Sequence, residues 1–142
     1  MYLNNKKILL IIAGGISAYK TLDLIRLLRK SDVDVKTILT RSGRKFVTPL
    51  SIASLTGNKP HEDIFSVNNE ANIDHISLSR WADIILVAPA TANFMSKLIS
   101  GKADDLATTV LLASNKDIFL IPAMNVRMWL HKATQRNLKD LL

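Results

Sequence analysis

The stretch ILLIIA, residues 8–13, has no polar residue inside it and is closed by Gly14 and Gly15. It is far shorter than the ~18 residues a membrane span needs, so it reads as a strand. A strand with no polar side to give to water must be buried on both faces. That is the situation of a sheet covered by helices above and below.

The rest of the chain repeats the theme. From Ala18 onward Leu22, Ile25 and Leu28 recur at helical spacing, with Arg26, Arg29 and Lys30 on the opposite side. VDVKTILT (33–40) is a second strand by its β-branched content, and TPLSIASLTG is a helix with Thr48 as cap, Pro49 in the first turn and Gly57 at the exit. Residues 58–74 are rich in Asn, Asp and Glu and predict mostly loop, with a short strand at Asp63–Phe65. HISLSRWA (75–82) predicts a short helix and DIILVA (83–88) a buried strand broken by Pro89. TANFMSKLISG is a helix stopping at Gly101, and DDLATTVLLAS starts afresh with Asp104 as cap. DIFLI (117–121) is another buried strand, and residues 126–141 form one last helix.

This alternation predicts an α/β fold, a Rossmann-like (flavodoxin-like) three-layer sandwich with a parallel sheet and right-handed crossovers. With 142 residues, 48% apolar, five Gly and four Pro, the chain has the content of one globular domain with one core. No signal-peptide pattern opens it, which predicts a cytoplasmic protein and no membrane partner. Cysteine is absent, excluding a disulfide framework, a thiolate metal site and a thiol nucleophile in this chain. The net charge of +7 is spread over separate segments, and no aromatic residues interleave with it as a nucleic-acid platform would need. It suits anionic small molecules rather than nucleic acid.

In parallel sheets ligands bind beyond the carboxyl ends of the strands. There the sequence puts Gly14-Gly15, Thr40-Arg41-Ser42, APATAN and PAMN. In AGGISAYK, two glycines and Ser17 stand between a strand and a helix start, where free backbone N–H groups favour a phosphate; a tight turn without ligand fits the same residues. The G-x-G-x-x-G spacing of a dinucleotide site is missing, and Asp34 lies at the wrong end of its strand, so a mononucleotide fits better. The hydroxyls of Thr40, Ser42 and Thr91 and the amide of Asn93 add neutral hydrogen-bonding groups along the same edge. His75 is the candidate general base. No spacing of His, Asp or Glu suggests a metal.

Four segments together, GGISAYK (14–20), DHISLSRWAD (74–83), APATANFMSKLISGKADDLATT (88–109) and PAMNVRMW (122–129), resemble the homo-oligomeric flavin-containing cysteine decarboxylases. Within them they resemble most the phosphopantothenoylcysteine decarboxylases of bacterial coenzyme A biosynthesis. The resemblance implies a single FMN-binding flavoprotein domain over residues 1–142, with FMN at a subunit interface of a homo-oligomer, a trimer or a dodecamer of trimers. It implies FMN phosphate near Gly14, Gly15, Ile16 and the Thr40–Ser42 turn, and Thr91, Ala92 and Asn93 along the flavin. It makes His75 catalytic and puts the substrate, phosphopantothenoylcysteine, against Asn125, with Met124, Met128 and Trp129 packing around flavin and thiol. Flavin prenyltransferases share the fold and the glycine turn, and non-catalytic FMN-binding regulatory subunits also resemble it. His75 and Asn125 favour the decarboxylase.

Relatives of this kind continue past the helix that ends at Leu142, with a cysteine serving the reductive half-reaction. The resemblance therefore implies a chain truncated at its C-terminus, which decarboxylates its substrate and stalls at the enethiol.

Overall fold

A computed structural model describes residues 2–62 and 71–142. Strand β1 spans Lys7–Ile12, helix α1 Lys20–Lys30, β2 Asp34–Leu39, α2 Pro49–Thr56, α3 Ala71–Trp81, β3 Ile84–Ala90, α4 Ala92–Ile99, α5 Leu106–Ala113, β4 Asp117–Pro122, α6 Val126–Leu130 and α7 Lys132–Leu141. The strands form one parallel sheet in the order β2-β1-β3-β4. Leu9 and Ile11 of β1 pack with Ile85, Val87, Leu78, Phe94 and Val110 on one side. Ile8, Leu10 and Ile12 pack with Ile25, Leu28, Val35 and Ile52 on the other. The result is the three-layer α/β sandwich of a flavodoxin-like, Rossmann-type fold. Truncating one of these buried aliphatic side chains to Ala costs about 2–5 kcal/mol, because the surrounding layers refill the cavity only in part.

The helix signals operate as side-chain chemistry. Thr48 Oγ1 accepts from Ser51 N–H at 3.1 Å, and Gly57 closes α2 in the left-handed conformation at φ 80°. At the opposite edge of the sheet, Asp83 Oδ2 accepts the Lys7 N–H at 2.9 Å and fixes the entry into β1. Among the described residues no helix is long and apolar enough to cross a membrane.

Several local expectations are corrected. The turn after Gly15 is 3-10 helix over Ile16–Tyr19 before α1 begins at Lys20, not Ala18. Helix α3 starts at Ala71, before His75. The expected strand at Asp63–Phe65 lies outside the described residues, but His61 makes a parallel bridge with Ile38 at the outer edge of β2. Pro89 does not end β3: the strand passes through it with a cis Ala88–Pro89 bond, shifts register, and pairs again at Ala90 with Pro122. Strand β4 is at the sheet edge and is not buried on both sides, since Phe119 and Ile121 are about half exposed.

The single last helix is two. His131 is extended (φ −63°, ψ 137°), its Nδ1 accepts from Ala133 N–H at 3.1 Å, and the break is clasped by Gln135 Nε2 donating to Trp129 O at 2.6 Å. The cap of α5 is Asp105, not Asp104. Asp105 Oδ1 accepts from Thr108 N–H at 2.8 Å while Thr108 Oγ1 accepts the Asp105 N–H at 3.3 Å, a reciprocal box that Asp104 stands one residue too early to form.

Asp105→Ala is expected to lower the unfolding free energy by about 1 kcal/mol in urea denaturation, the usual cost of losing a helix cap. Asp104→Ala is expected to shift the midpoint less than Asp105→Ala, since it removes surface ion pairs with Lys97 and Lys102 and no helix cap.

Candidate active site

Chain order and sheet order diverge at β1: the chain moves outward to β2, then crosses back over β1 to β3 on its far side. The loops leaving β1 and β3 therefore part in opposite directions, which opens a crevice above the carboxyl ends of the strands. A cavity of about 1170 Å³ occupies that place. All four strand ends reach it, through Gly14–Ser17, Thr40–Ser42, Thr91–Asn93 and Ala123–Asn125.

The three glycines of this edge differ in what they are needed for. A methyl group on Gly14 would collide with Ser42 Cβ and stand 2.8 Å from the Ser42 carbonyl carbon, so the turns after β1 and β2 touch backbone to backbone. Gly43 is equally confined, against the Ile12 carbonyl oxygen. Gly15 is not. Its backbone is extended (φ −169°, ψ 159°), and an added methyl would meet only Pro89 Cγ at 3.7 Å and Thr91 Cγ2 at 3.9 Å, both ordinary contacts. The fold has no requirement for glycine at 15, and the space left there belongs to the cavity wall.

Side-chain hydrogen bonds sort the expected polar residues into braces and spare donors. Thr40 is a brace: its hydroxyl donates to Ile12 O at 3.2 Å and accepts from Gly43 N–H at 3.0 Å, so it does not offer the free hydroxyl the sequence suggests. Thr91 Oγ1 accepts from Phe94 N–H at 3.1 Å as the cap of α4, and its proton remains to donate. Ser17, Ser42 and Asn93 line the cavity, and their side chains have no hydrogen-bond partner among the described residues. Asn125 Oδ1 accepts from Met128 N–H at 2.9 Å and caps α6, which fixes the amide so that its Nδ2 donors remain for an acceptor such as a carboxylate.

Gly14, Gly15, Ile16, Ser17, Thr40, Ser42, Thr91, Ala92, Asn93, Met124, Asn125 and Met128 all line the one cavity. His75 does not. It lies near the start of α3, which precedes β3 and so begins at the same edge of the sheet, and its Nδ1 is buried without a hydrogen-bond partner. Trp129 is also absent from the lining; its carbonyl instead holds the α6–α7 break.

The sequence reading missed several charged residues of the wall, among them Lys97, Asp104, Arg44 and Glu62. Lys97 follows Asn93 by one turn of α4, and its Nζ lies 3.2 Å from Asp104, which Lys102 also approaches at 3.7 Å. The hydrogen bond from Lys97 holds the Asp104 carboxyl below the usual carboxylate range. The four-residue step from Asn93 to Lys97 was a signal that could have found Lys97. Arg44 and Glu62 meet at 2.9 Å, a contact between segments 18 residues apart that no local pattern announces. Among the described residues no three His, Asp or Glu side chains gather as a metal site would need.

Comparison with known proteins adds independent findings. The Flavoprotein family model matches residues 2–142. The chain is 46% identical over 141 residues to the coenzyme A biosynthesis bifunctional protein CoaBC of Haemophilus influenzae, covering 99% of this chain and 35% of that protein. It is 44% identical to the CoaBC of Bacillus subtilis, covering 98% of this chain and 34% of that protein. The chain thus spans about a third of the length of the curated relatives it matches. Among solved structures, the FMN-dependent cysteine decarboxylase SpaF superposes with a TM-score of 0.90 at 33% identity, covering 98% of this chain and 80% of that one. A PPC decarboxylase variant complexed with pantothenoylaminoethenethiol superposes with a TM-score of 0.84 at 29% identity, covering 97% and 78%.

The contrast between neighbouring glycines is directly measurable. Gly14→Ala is expected to cost about 1–3 kcal/mol of stability through backbone overlap, whereas Gly15→Ala should unfold within about 0.5 kcal/mol of the parent. Urea melts of both variants check it.

Proposed function

The chain belongs to the Flavoprotein family, and from that premise we propose that it is an FMN-dependent decarboxylase of phosphopantothenoylcysteine, acting in coenzyme A biosynthesis. The observation that carries this reading is the meeting, in one cavity, of spare neutral donors with a capped asparagine amide and two thioethers.

These residues fit FMN. The open wall at Gly15 admits a close-lying ligand, the Ser17 and Ser42 hydroxyls lie beside the glycine turn to take one phosphate, and Asn93 with the Thr91 hydroxyl proton presents donors to a carbonyl-bearing heterocycle. When bound, FMN supplies the two-electron oxidant that a cysteine carboxylate needs before its carbon dioxide can leave. The protein's own part is to bind, orient and move a proton. Asn125 Nδ2 donates to the substrate carboxylate, and the helix cap on Oδ1 keeps it from turning away. Met124 and Met128 offer polarisable surface to the thiol.

His75 takes the thiol proton, and it reaches the cavity from a second copy of the chain. Support for this comes from the lining of the cavity, which His75 of the same chain does not join, and from the apolar residues left bare beside it. Helix α6 buries none of its residues, and Ile16, Val126, Met128 and Leu130 are exposed on one chain alone. A homo-oligomer, a trimer or an assembly of trimers, covers them and closes the site.

The purified protein is expected to carry FMN and to release carbon dioxide from phosphopantothenoylcysteine; absence of both would end this reading. His75→Asn should keep FMN and lose about 10²–10⁴-fold in turnover, as removal of a proton-transfer group does. Asn125→Asp, which retains a cap but opposes a carboxylate with a negative charge, should bind FMN and turn over poorly. Co-refolding the two inactive variants in equal amounts should restore about a quarter of the sites if each site draws His75 and Asn125 from different copies in a symmetric ring. No recovery would put both residues on one chain's site.

A further inference from the structure

At the β2 end of the cavity stands a charged pair to which the roles above give no task. Arg44 Nη1 lies 2.9 Å from Glu62 Oε1, both residues line the cavity, and their side chains are 62% and 34% exposed. The backbone on each side of the pair is anchored to β2. The Arg44 N–H donates to Thr40 O at 3.0 Å, and the neighbour of Glu62, His61, exchanges bonds with Thr37 O at 2.9 Å and Leu39 N–H at 2.8 Å. The link between the two side chains is therefore its weakest part. An exposed ion pair of this kind contributes only about 0–1 kcal/mol. A planar guanidinium binds a phosphate through two parallel charge-assisted hydrogen bonds, and a dianion attracts it more strongly than a single carboxylate does. The Ser42 hydroxyl, without a hydrogen-bond partner among the described residues, lies on the same turn two residues away.

We propose that Arg44 and Glu62 form an exchangeable latch for a phosphate monoester: when the phosphate settles at the β2 end of the cavity, Arg44 leaves Glu62 for it. Glu62 then acts as an internal competitor that sets the affinity. The proposal rests on the function proposed above, in which the phosphate is that of FMN; the phosphate of the substrate has the same chemistry. Exchange keeps Arg44 paired in both states, so its guanidinium is compensated before the ligand arrives. It also makes the phosphate, rather than the ring system, the part of the ligand that this wall reads.

The test is titration of deflavinated protein with FMN and with riboflavin, followed by flavin fluorescence. Arg44→Gln is expected to weaken FMN about tenfold, the loss of one charge-assisted contact, and to leave riboflavin unchanged. Glu62→Gln is expected to tighten FMN about three- to fivefold, the value of an exposed competing pair, again without effect on riboflavin. Thermal melts of both variants control for folding. Equal, non-zero changes for the two flavins, or weaker FMN binding by Glu62→Gln, would overturn the latch. In a second arm, FMN-loaded protein is given phosphopantothenoylcysteine and its dephosphorylated counterpart. Variant effects confined to the phosphorylated substrate, with the FMN-to-riboflavin ratio unchanged, support the same exchange with the substrate's phosphate as the occupant. A parent protein that binds neither flavin overturns the latch together with the proposed function. Normal FMN binding with both variants indifferent to phosphate in either arm overturns the latch alone.

Discussion

Burial of β1 on both faces is the constraint from which the rest of the molecule follows. Residues 8–13 are almost wholly inaccessible, and alternate side chains enter two different layers of helices, so neither layer can be absent without exposing half of the strand. A central strand also needs a neighbour on each side to satisfy its backbone, and β2 and β3 supply them in parallel register. Because both neighbours run the same way, all the strands end at one edge. The crevice there is a consequence of the packing and needs no machinery of its own.

The polar chemistry of that edge divides into groups consumed by the fold and groups left over. Thr40 and Asp105 spend their side chains on backbone N–H groups of their own turns, and Thr91 and Asn125 do so in part. Ser17, Ser42 and Asn93 retain their capacity, and Asn125 retains one half of its amide, with the cap deciding which half. Charges are treated differently. Lys97 is matched by Asp104 and Arg44 by Glu62, so these two cations of the wall meet a ligand already compensated, beside neutral donors. Such a wall favours an anion that can outcompete a carboxylate, and it does not attract charge indiscriminately.

Incompleteness is equally informative. Strand β4 keeps Phe119 and Ile121 about half exposed, and α6 carries Val126, Met128 and Leu130 exposed. Exposed apolar patches that adjoin a cavity mark a surface meant to be covered.

The sequence by itself determined the strands, most of the helices, their order and half of the cavity's lining. Strands read clearly because two-sided burial leaves an unbroken apolar run, and helix ends read clearly where a short side chain such as Thr48 or a glycine such as Gly57 acts on its own turn. These are local effects, carried by residues three or four apart. The cap of α5 was read as Asp104 where it is Asp105, since only backbone geometry decides which of two adjacent carboxylates meets Thr108 N–H. The same limit applied to the break at His131 and to the persistence of β3 through Pro89, both of which depend on pairing with distant backbone. Tertiary structure alone decided that the Thr40 hydroxyl is spent on Ile12 and Gly43, that Gly14 is confined and Gly15 is not, and that Arg44 finds Glu62 across the end of β2. It alone separated His75 from the cavity of its own chain, because which side chains share a space is fixed by how layers pack and leaves no periodic trace in the order of residues.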